Sequence, residues 1–284
     1  MTAPIIRTRA DLREMTRGWT RAGETIGVVP TMGALHDGHL SLVARAKDMS
    51  DRVIVTIFVN PKQFNNPEDL ENYPRTEHED ARKLERFVVD AIYVPDGAQM
   101  YPDGFATTVS VDGLTNVLCG AHRAGHFDGV ATVVTKLFTQ TSADLAFFGE
   151  KDFQQLQVVR RMARDLDLGV EVVGCPTIRE MDGLAMSSRN LLLSDQARSR
   201  ASALNAVMED MAEALTKGAA IDDLLPEAKA RLAAAGFGDI DYLEMRTNET
   251  LTLIDRATEP ARLFAAAYMA GVRLIDNIDV PVTT

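Results

Sequence analysis

Three short polar segments carry groups suited to binding anions. The first is His36-Asp37-Gly38-His39, two imidazoles three residues apart where a turn leads into a helix. The first turn of a helix offers backbone N–H groups and a partial positive charge, which suits phosphate. Gly33 and Gly38 let a ligand come close to the backbone. The second segment is Gly149-Glu150-Lys151-Asp152, again at a strand-to-helix turn. A lysine at a helix start opposes the dipole and costs local stability. Lys151 therefore reads as a cation aimed at phosphate, with Asp152 capping the helix or binding a ribose hydroxyl. The third is Met186-Ser187-Ser188-Arg189, where two hydroxyls and a guanidinium in series can hold several phosphate oxygens. Read singly, each also fits a solvated loop: a chance pair of surface histidines, an exposed lysine, a serine-rich turn. A metal centre is the weaker reading of the histidine pair, because no third ligand lies at a usual spacing.

The elements around these segments follow from hydrophobic periodicity. Thr8 and Asp11 form a capping-box pattern, and Leu12, Met15 and Trp19 then share one helical face. A short strand over 25–29 runs into the histidine segment, and a helix bearing Leu40, Val43 and Ala44 ends near Met49. Residues 52–59 are almost wholly apolar, as a strand covered on both faces should be. Strand, helix and strand make a βαβ unit, so the sheet is at least partly parallel. A strand over 91–94 follows. A helical stripe of Val130, Val133, Val134, Leu137 and Phe138 then leads to a second unit: strand 144–148, a helix from Phe153, strand 170–173. The expected fold is α/β, a doubly wound, Rossmann-like parallel sheet over residues 1–178, with ligands beyond the C-terminal ends of the strands. After Arg189 an Ala-rich helix over 195–217, a second over 221–235 and strands at 241–245 and 263–268 predict a smaller α+β domain, 179–284, carrying the Met-Ser-Ser-Arg loop. Residues 60–79, rich in Asn and Pro, read as a loop long enough to cover a site.

Composition narrows the function. The chain has 284 residues, 46% hydrophobic and 25% charged, the profile of a globular protein. No apolar run approaches the roughly 18 residues of a membrane helix, and no apolar signal segment opens the chain. The expectation is a cytoplasmic protein without membrane partners. Cys119 and Cys175, the two cysteines, read as reduced core thiols. Forty-one acidic against 30 basic residues give a net charge of −11, which repels nucleic acid. An anionic small-molecule substrate must then be met by local cations such as those above.

The histidine segment and the later Met-Ser-Ser-Arg loop are similar to the HIGH and KMSKS signatures of nucleotidyltransferases and class I aminoacyl-tRNA synthetases. More narrowly, four segments resemble the pantothenate synthetase family: residues 29–39 (VPTMGALHDGH), 57–64 (IFVNPKQF), 148–155 (FGEKDFQQ) and 183–190 (GLAMSSRN). Tyr73-Pro74-Arg75-Thr76, Gly125-His126-Phe127 and Arg273-Leu274-Ile275-Asp276-Asn277 extend the likeness over nearly the whole chain. Ala124 departs from it, since many members carry Pro there.

The resemblance implies ATP-dependent ligation of pantoate to β-alanine through a pantoyl-adenylate, releasing AMP and pyrophosphate, by a homodimer using ATP and Mg²⁺. It implies that Met32, Gly33, Ala34, Leu35, His36, Asp37, Gly38 and His39 wrap the adenine and phosphates. Gly149, Glu150, Lys151, Asp152, Ile178, Met186, Ser187, Ser188 and Arg189 match the remaining ATP contacts. Gln63 and Gln155 match the glutamines that hold pantoate. Asp80 matches a Mg²⁺ position, where a solvated helix-start carboxylate is the alternative. Arg123 and Tyr73 are expected near β-alanine. The catalytic groups are then His36, His39, Lys151 and Arg189, which can stabilise the charge that builds on phosphate. A nucleotidyltransferase proper would share the histidine and Ser/Arg segments but leaves Gln63 and Gln155 together without a reason. A tRNA synthetase fragment sits badly with the charge, and a nucleotide sensor without turnover with intact His39, Lys151 and Arg189.

Overall fold

The near-continuous apolar runs become parallel strands buried on both faces, as such strands must be when helices cover the sheet. The computed structural model describes residues 3–65 and 67–282, which divide into two compact units. The first takes in residues 1–115, 123–150 and 155–176. Its six strands are β1 (Ile5–Ile6), β2 (Ile26–Thr31), β3 (Arg52–Ile57), β4 (Ala91–Tyr93), β5 (Leu145–Gly149) and β6 (Glu171–Cys175). They pair in parallel in the order β1-β4-β3-β2-β5-β6. The chain leaves β2 in one direction for β3 and β4, then returns to β2's other side for β5 and β6. The C-terminal ends of β2 and β5 therefore flank the switch point of the sheet, where doubly wound folds bind ligands. The histidine segment follows β2, and Gly149 ends β5. Val29, Val43, Val53, Val55, Ile92 and Phe147 are among the buried side chains of one core layer.

Local signals explain the helices. Thr8 caps Arg9–Ala22, accepting the Asp11 N–H at 3.2 Å, and Gly23 closes it in the left-handed region. Leu12 and Thr16 are its buried residues, while Met15 and Trp19 are half-buried. The stretch over 60–79 is not a plain loop. It holds a 3₁₀ turn at Pro61–Gln63, a helix at Pro67–Glu71 and the start of the helix Glu77–Leu84.

The second unit takes in residues 116–122, 151–154 and 177–284, so two short stretches from earlier in the chain belong with it. Helices Asp195–Ala201, Ala203–Thr216 and Ile221–Ala235 share a core with an antiparallel sheet of β7 (Phe237–Thr247), β8 (Ala261–Met269) and β9 (Val272–Val280), in that order. The helix expected over 195–217 is two helices. Ser202 keeps α-helical dihedrals between them, so the apolar stripe runs on while the hydrogen bonding resets. β1 and β9 are strands the sequence reading did not anticipate. Both cysteines are buried and form no disulfide, and burial raises the Cys175 thiol's pKa. No helix among the described residues is long and apolar enough to cross a membrane.

Candidate active site

His36 and His39 cap their own helix, Asp37–Met49. The Gly38 N–H donates to His36 Nδ1 at 3.2 Å, and the His36 N–H donates to His39 Nδ1 at 3.4 Å. The two rings lie 4.1 Å apart between centroids. A ring nitrogen that accepts an N–H carries no proton, so each neutral ring holds its hydrogen on Nε2. Two imidazole donors thus sit at a helix N-terminus, the place for an anion. Met32, His36, Gly38 and His39 are half-buried, Gly33, Ala34 and Leu35 are buried, and Asp37 is exposed with its carboxylate 3.7 Å from Arg86 Nη2.

Gln63 ends the turn Pro61–Gln63 and is buried. Asn60 Nδ2 donates to Gln63 Oε1 at 3.0 Å and to the Gly129 carbonyl at 3.1 Å. Asn60 Oδ1 accepts from the Tyr101 hydroxyl at 2.7 Å, a hydroxyl whose pKa is raised by burial and which therefore stays a donor. With its oxygen committed to Asn60, the Gln63 amide turns its NH₂ toward Met32 Sδ, 3.2 Å away and a weak acceptor. The backbone of Gln63 is held as firmly. Its carbonyl lies 2.8 Å from His126 Nδ1 and 3.3 Å from Arg123 Nη2, while Arg123 Nη1 lies 3.1 Å from His126 Nε2. A carbonyl only accepts and a guanidinium only donates, so His126 is the neutral tautomer protonated on Nδ1. Arg123 thus reaches the backbone of Gln63, and Tyr73 packs edge-on against Phe64 at 5.6 Å. Gly129, in the helix His126–Thr141, has no room for a methyl: a Cβ there would lie 2.3 Å from the Lys62 carbonyl oxygen. Asn60, His126 and Gly129 had no role in the sequence reading. Their partners lie up to 69 residues away; Asn60 and His126 fall in the family-like segments 57–64 and 125–127, which assigned them no role, and Gly129 falls in none.

Gln155 is half-buried in the first turn of the helix Phe153–Asp165. Its neighbour Gln154 is buried and structural, bonding the Cys119 N–H at 3.0 Å and the Val117 carbonyl at 2.7 Å.

Glu150, Lys151 and Asp152 form a 3₁₀ turn after Gly149. Lys151 Nζ lies 3.7 Å from Asp152 Oδ2, and its carbonyl accepts from Asn277 Nδ2 at 2.9 Å. The later segment is a built loop rather than a loose serine-rich turn. The Met186 N–H donates to the Ile178 carbonyl at 3.0 Å, and Arg179 grips the buried Asp276 with two bonds of 2.6 and 3.0 Å. Asn190 Nδ2 bonds Glu180 and the Ala185 carbonyl, and Arg198 pairs with Glu180 and Asp182. The Arg198 guanidinium lowers the pKa of the Asp182 carboxyl. Ser187 caps the turn Ser188–Leu192 by accepting the Arg189 N–H at 3.2 Å, and Met186, Ser187, Ser188 and Arg189 are all half-buried.

Asp80 is not a solvated helix-start carboxylate. It is fully buried, with the Leu35 N–H on Oδ1 at 2.8 Å and the Ala34 N–H on Oδ2 at 2.9 Å. Magnesium keeps a tight oxygen shell that includes several waters. Two carboxylate oxygens already met by N–H donors do not fit that shell. Among the described residues, no group of three or more His, Cys, Asp or Glu is placed to hold a metal ion.

The sequence model of the pantoate-beta-alanine ligase family matches residues 4–279. The pantothenate synthetase of Roseobacter denitrificans is 71% identical over 282 residues, 99% of this chain and 99% of that protein. That of Ruegeria pomeroyi is 66% identical over 280 residues, 99% of this chain and 98% of its own length. Among solved structures, the pantothenate synthetase of Thermus thermophilus has a TM-score of 0.91 at 44% identity, covering 98% of this chain and 99% of that one. The pantoate-beta-alanine ligase of Francisella tularensis, crystallised with beta-gamma ATP and beta-alanine, has a TM-score of 0.83 at 33% identity, covering 98% and 97%.

Proposed function

We propose, on the premise that this chain belongs to the pantoate–β-alanine ligase family and so forms pantothenate, that it does so with ATP and by way of a pantoyl-adenylate. A pantoate carboxylate oxygen attacks the α-phosphorus of ATP, an O–P bond forms, and the bond to pyrophosphate breaks. The amine of β-alanine then attacks the acyl carbon. A C–N bond forms, AMP departs with the oxygen, and the amine proton passes to solvent.

The nucleophile in each step belongs to a substrate, so the chain supplies orientation and charge. The observation that carries this reading is the pair of imidazoles fixed as Nε2–H donors at a helix N-terminus. Donors held in place before the reaction stabilise charge as it develops, without reorganising. Lys151 and Arg189 are assigned to the same charge on family resemblance. Gln63 supports a pantoate role, because a thioether is a poor partner for its NH₂ and a hydroxyl or carboxylate a better one. Gln155 is its proposed companion. The proposal extends to a homodimer in the cytoplasm.

ATP–pyrophosphate exchange tests the reading. Exchange that requires pantoate and proceeds without β-alanine is expected. Exchange independent of pantoate, or none despite pantothenate formation, overturns the adenylate.

A further inference from the structure

The surroundings of Asp80 disagree with the magnesium role that resemblance suggests, and they point to another one. Three donors meet its carboxylate, at least one on each oxygen: the N–H groups of Ala34 and Leu35, and the Thr76 hydroxyl at 3.0 Å from Oδ2. N–H dipoles aimed at both oxygens present positive charge where a cation would have to sit. One turn along the helix Glu77–Leu84, Lys83 Nζ donates to the Leu35 carbonyl at 2.6 Å. Residues three apart share a helix face. One helix therefore grips both the donors and the acceptor of a single short loop.

That loop has a conformation that must be held. Ala34 sits at φ 49°, a left-handed backbone that L-residues with a Cβ adopt at a cost. Gly33 precedes it at φ 85°, and a Cβ there would lie 3.2 Å from Asp80 Oδ2 and 3.2 Å from Ile57 Cγ2. The Gly33 N–H is taken by Thr31 Oγ1 at 3.2 Å. Immediately downstream, His36 begins the capped helix.

We propose that Asp80 and Lys83 are positioning residues: they lock the left-handed turn at Gly33 and Ala34, and so fix where His36 and His39 point. The proposal rests on the reading that this segment binds ATP, and it goes beyond it by replacing a metal role with a mechanical one.

Hydrogen–deuterium exchange on the nucleotide-free protein, followed at the Ala34 and Leu35 amides, reads the lock without any turnover. Asp80→Asn should speed exchange there about tenfold or more, with the rest of the sheet unchanged. In steady-state assays Asp80→Asn should raise KM for ATP about 10- to 100-fold, the scale of a lost charged hydrogen bond. The Mg²⁺ concentration giving half-maximal rate should stay at the wild-type value, and excess Mg²⁺ should restore nothing. Lys83→Met, which keeps the alkyl stem and removes the donor, should raise KM for ATP about three- to tenfold with the same indifference to Mg²⁺. Unchanged exchange in Asp80→Asn, or an ATP defect cured by Mg²⁺, overturns the proposal in favour of a metal ligand. If Asp80→Asn does not fold, Lys83→Met decides: wild-type KM overturns the proposal and a raised KM supports it. A wild-type protein without ATP-dependent ligation sinks the proposed function instead, and the exchange arm still tests the lock.

Discussion

His36 and His39 each accept a backbone N–H on Nδ1, so the same two rings that cap the helix keep their ring hydrogens on Nε2. Capping and catalysis can therefore be separated by substitution. His39→Asn places an acceptor near the Nδ1 position and removes Nε2. It should keep wild-type stability and lose about 10²–10³-fold in adenylate formation. His39→Ala loses the cap as well, at about 0.5–2 kcal/mol. Lys151→Ala should lose adenylate formation to a similar extent. Given prepared pantoyl-adenylate and β-alanine, all three variants should make pantothenate at rates much nearer wild type. Rapid quench on each half-reaction, beside thermal unfolding, checks both. A collapse of the second step as deep as the first would mean these residues also serve amine transfer.

Adjacent glutamines should behave differently. Gln155→Ala should weaken pantoate use by about 1–3 kcal/mol and leave ATP binding nearly untouched, because a polar ligand group loses its partner. Gln154→Ala removes bonds to Cys119 and Val117 and should lower stability instead. Titration with each substrate, and unfolding of both variants, separates them. Equal losses for ATP and pantoate in Gln155→Ala would count against its assignment.

Gly129→Ala tests the support beneath Gln63. The added methyl meets the Lys62 carbonyl oxygen at 2.3 Å and the Gln63 nitrogen at 2.8 Å, both backbone atoms that cannot swing aside. Overpacking of this kind costs about 1–3 kcal/mol. The expected outcome is a folded, less stable protein with a raised KM for pantoate. Unaltered denaturant midpoint and KM would show that the turn can retreat freely.

The loop around Asp182 should contribute to acid sensitivity. Arg198 holds the folded carboxyl below its unfolded value, near 4. A lowered carboxyl pKa adds stability above the unfolded value, and that stability is lost as pH falls through the folded value. Arg198→Gln should cost about 0.5–1 kcal/mol at neutral pH, the solvent-screened scale for a partly exposed pair. It should also flatten the fall of melting temperature as pH drops below the unfolded carboxyl value of about 4. A variant as acid-sensitive as wild type would remove Asp182 from the account.

For the assembly, sedimentation at micromolar concentration should give about twice the chain mass of 31.1 kDa. A single species at the chain mass would remove the dimer.

The parts of the fold that local patterns carry were readable. β2, β3 and β5 are apolar because both faces are covered, and Thr8 announces its helix. β9 was not readable, because Asp276 and Asn277 lie buried in it, satisfied by Arg179 and Arg262. Without those distant partners the stretch looks too polar for a buried strand. Asp80 fails for the same reason: its two backbone donors are 45 and 46 residues away, and in sequence it looks like one more carboxylate at a helix start. The histidine, lysine and serine–arginine segments stood out as polar groups where strands end. Asn60, tied to Gly129 69 residues away, and His126, which reaches Gln63 across 63 residues, left no such mark.

The strand order also governs how the chain behaves while it is being made. β2 takes β3 on one side within the first 57 residues, but its other neighbour, β5, begins at residue 145. Until then Gly27 and Val28, which later pair with Leu145 and Ala146, lie on an unclaimed edge of an apolar, uncharged strand. Open edges of that kind template pairing with other chains. A ribosome paused before β5, or a fragment truncated there, should yield aggregates in preference to a smaller folded sheet. The centre of the sheet thus closes only after all the strands on one side of it have been made.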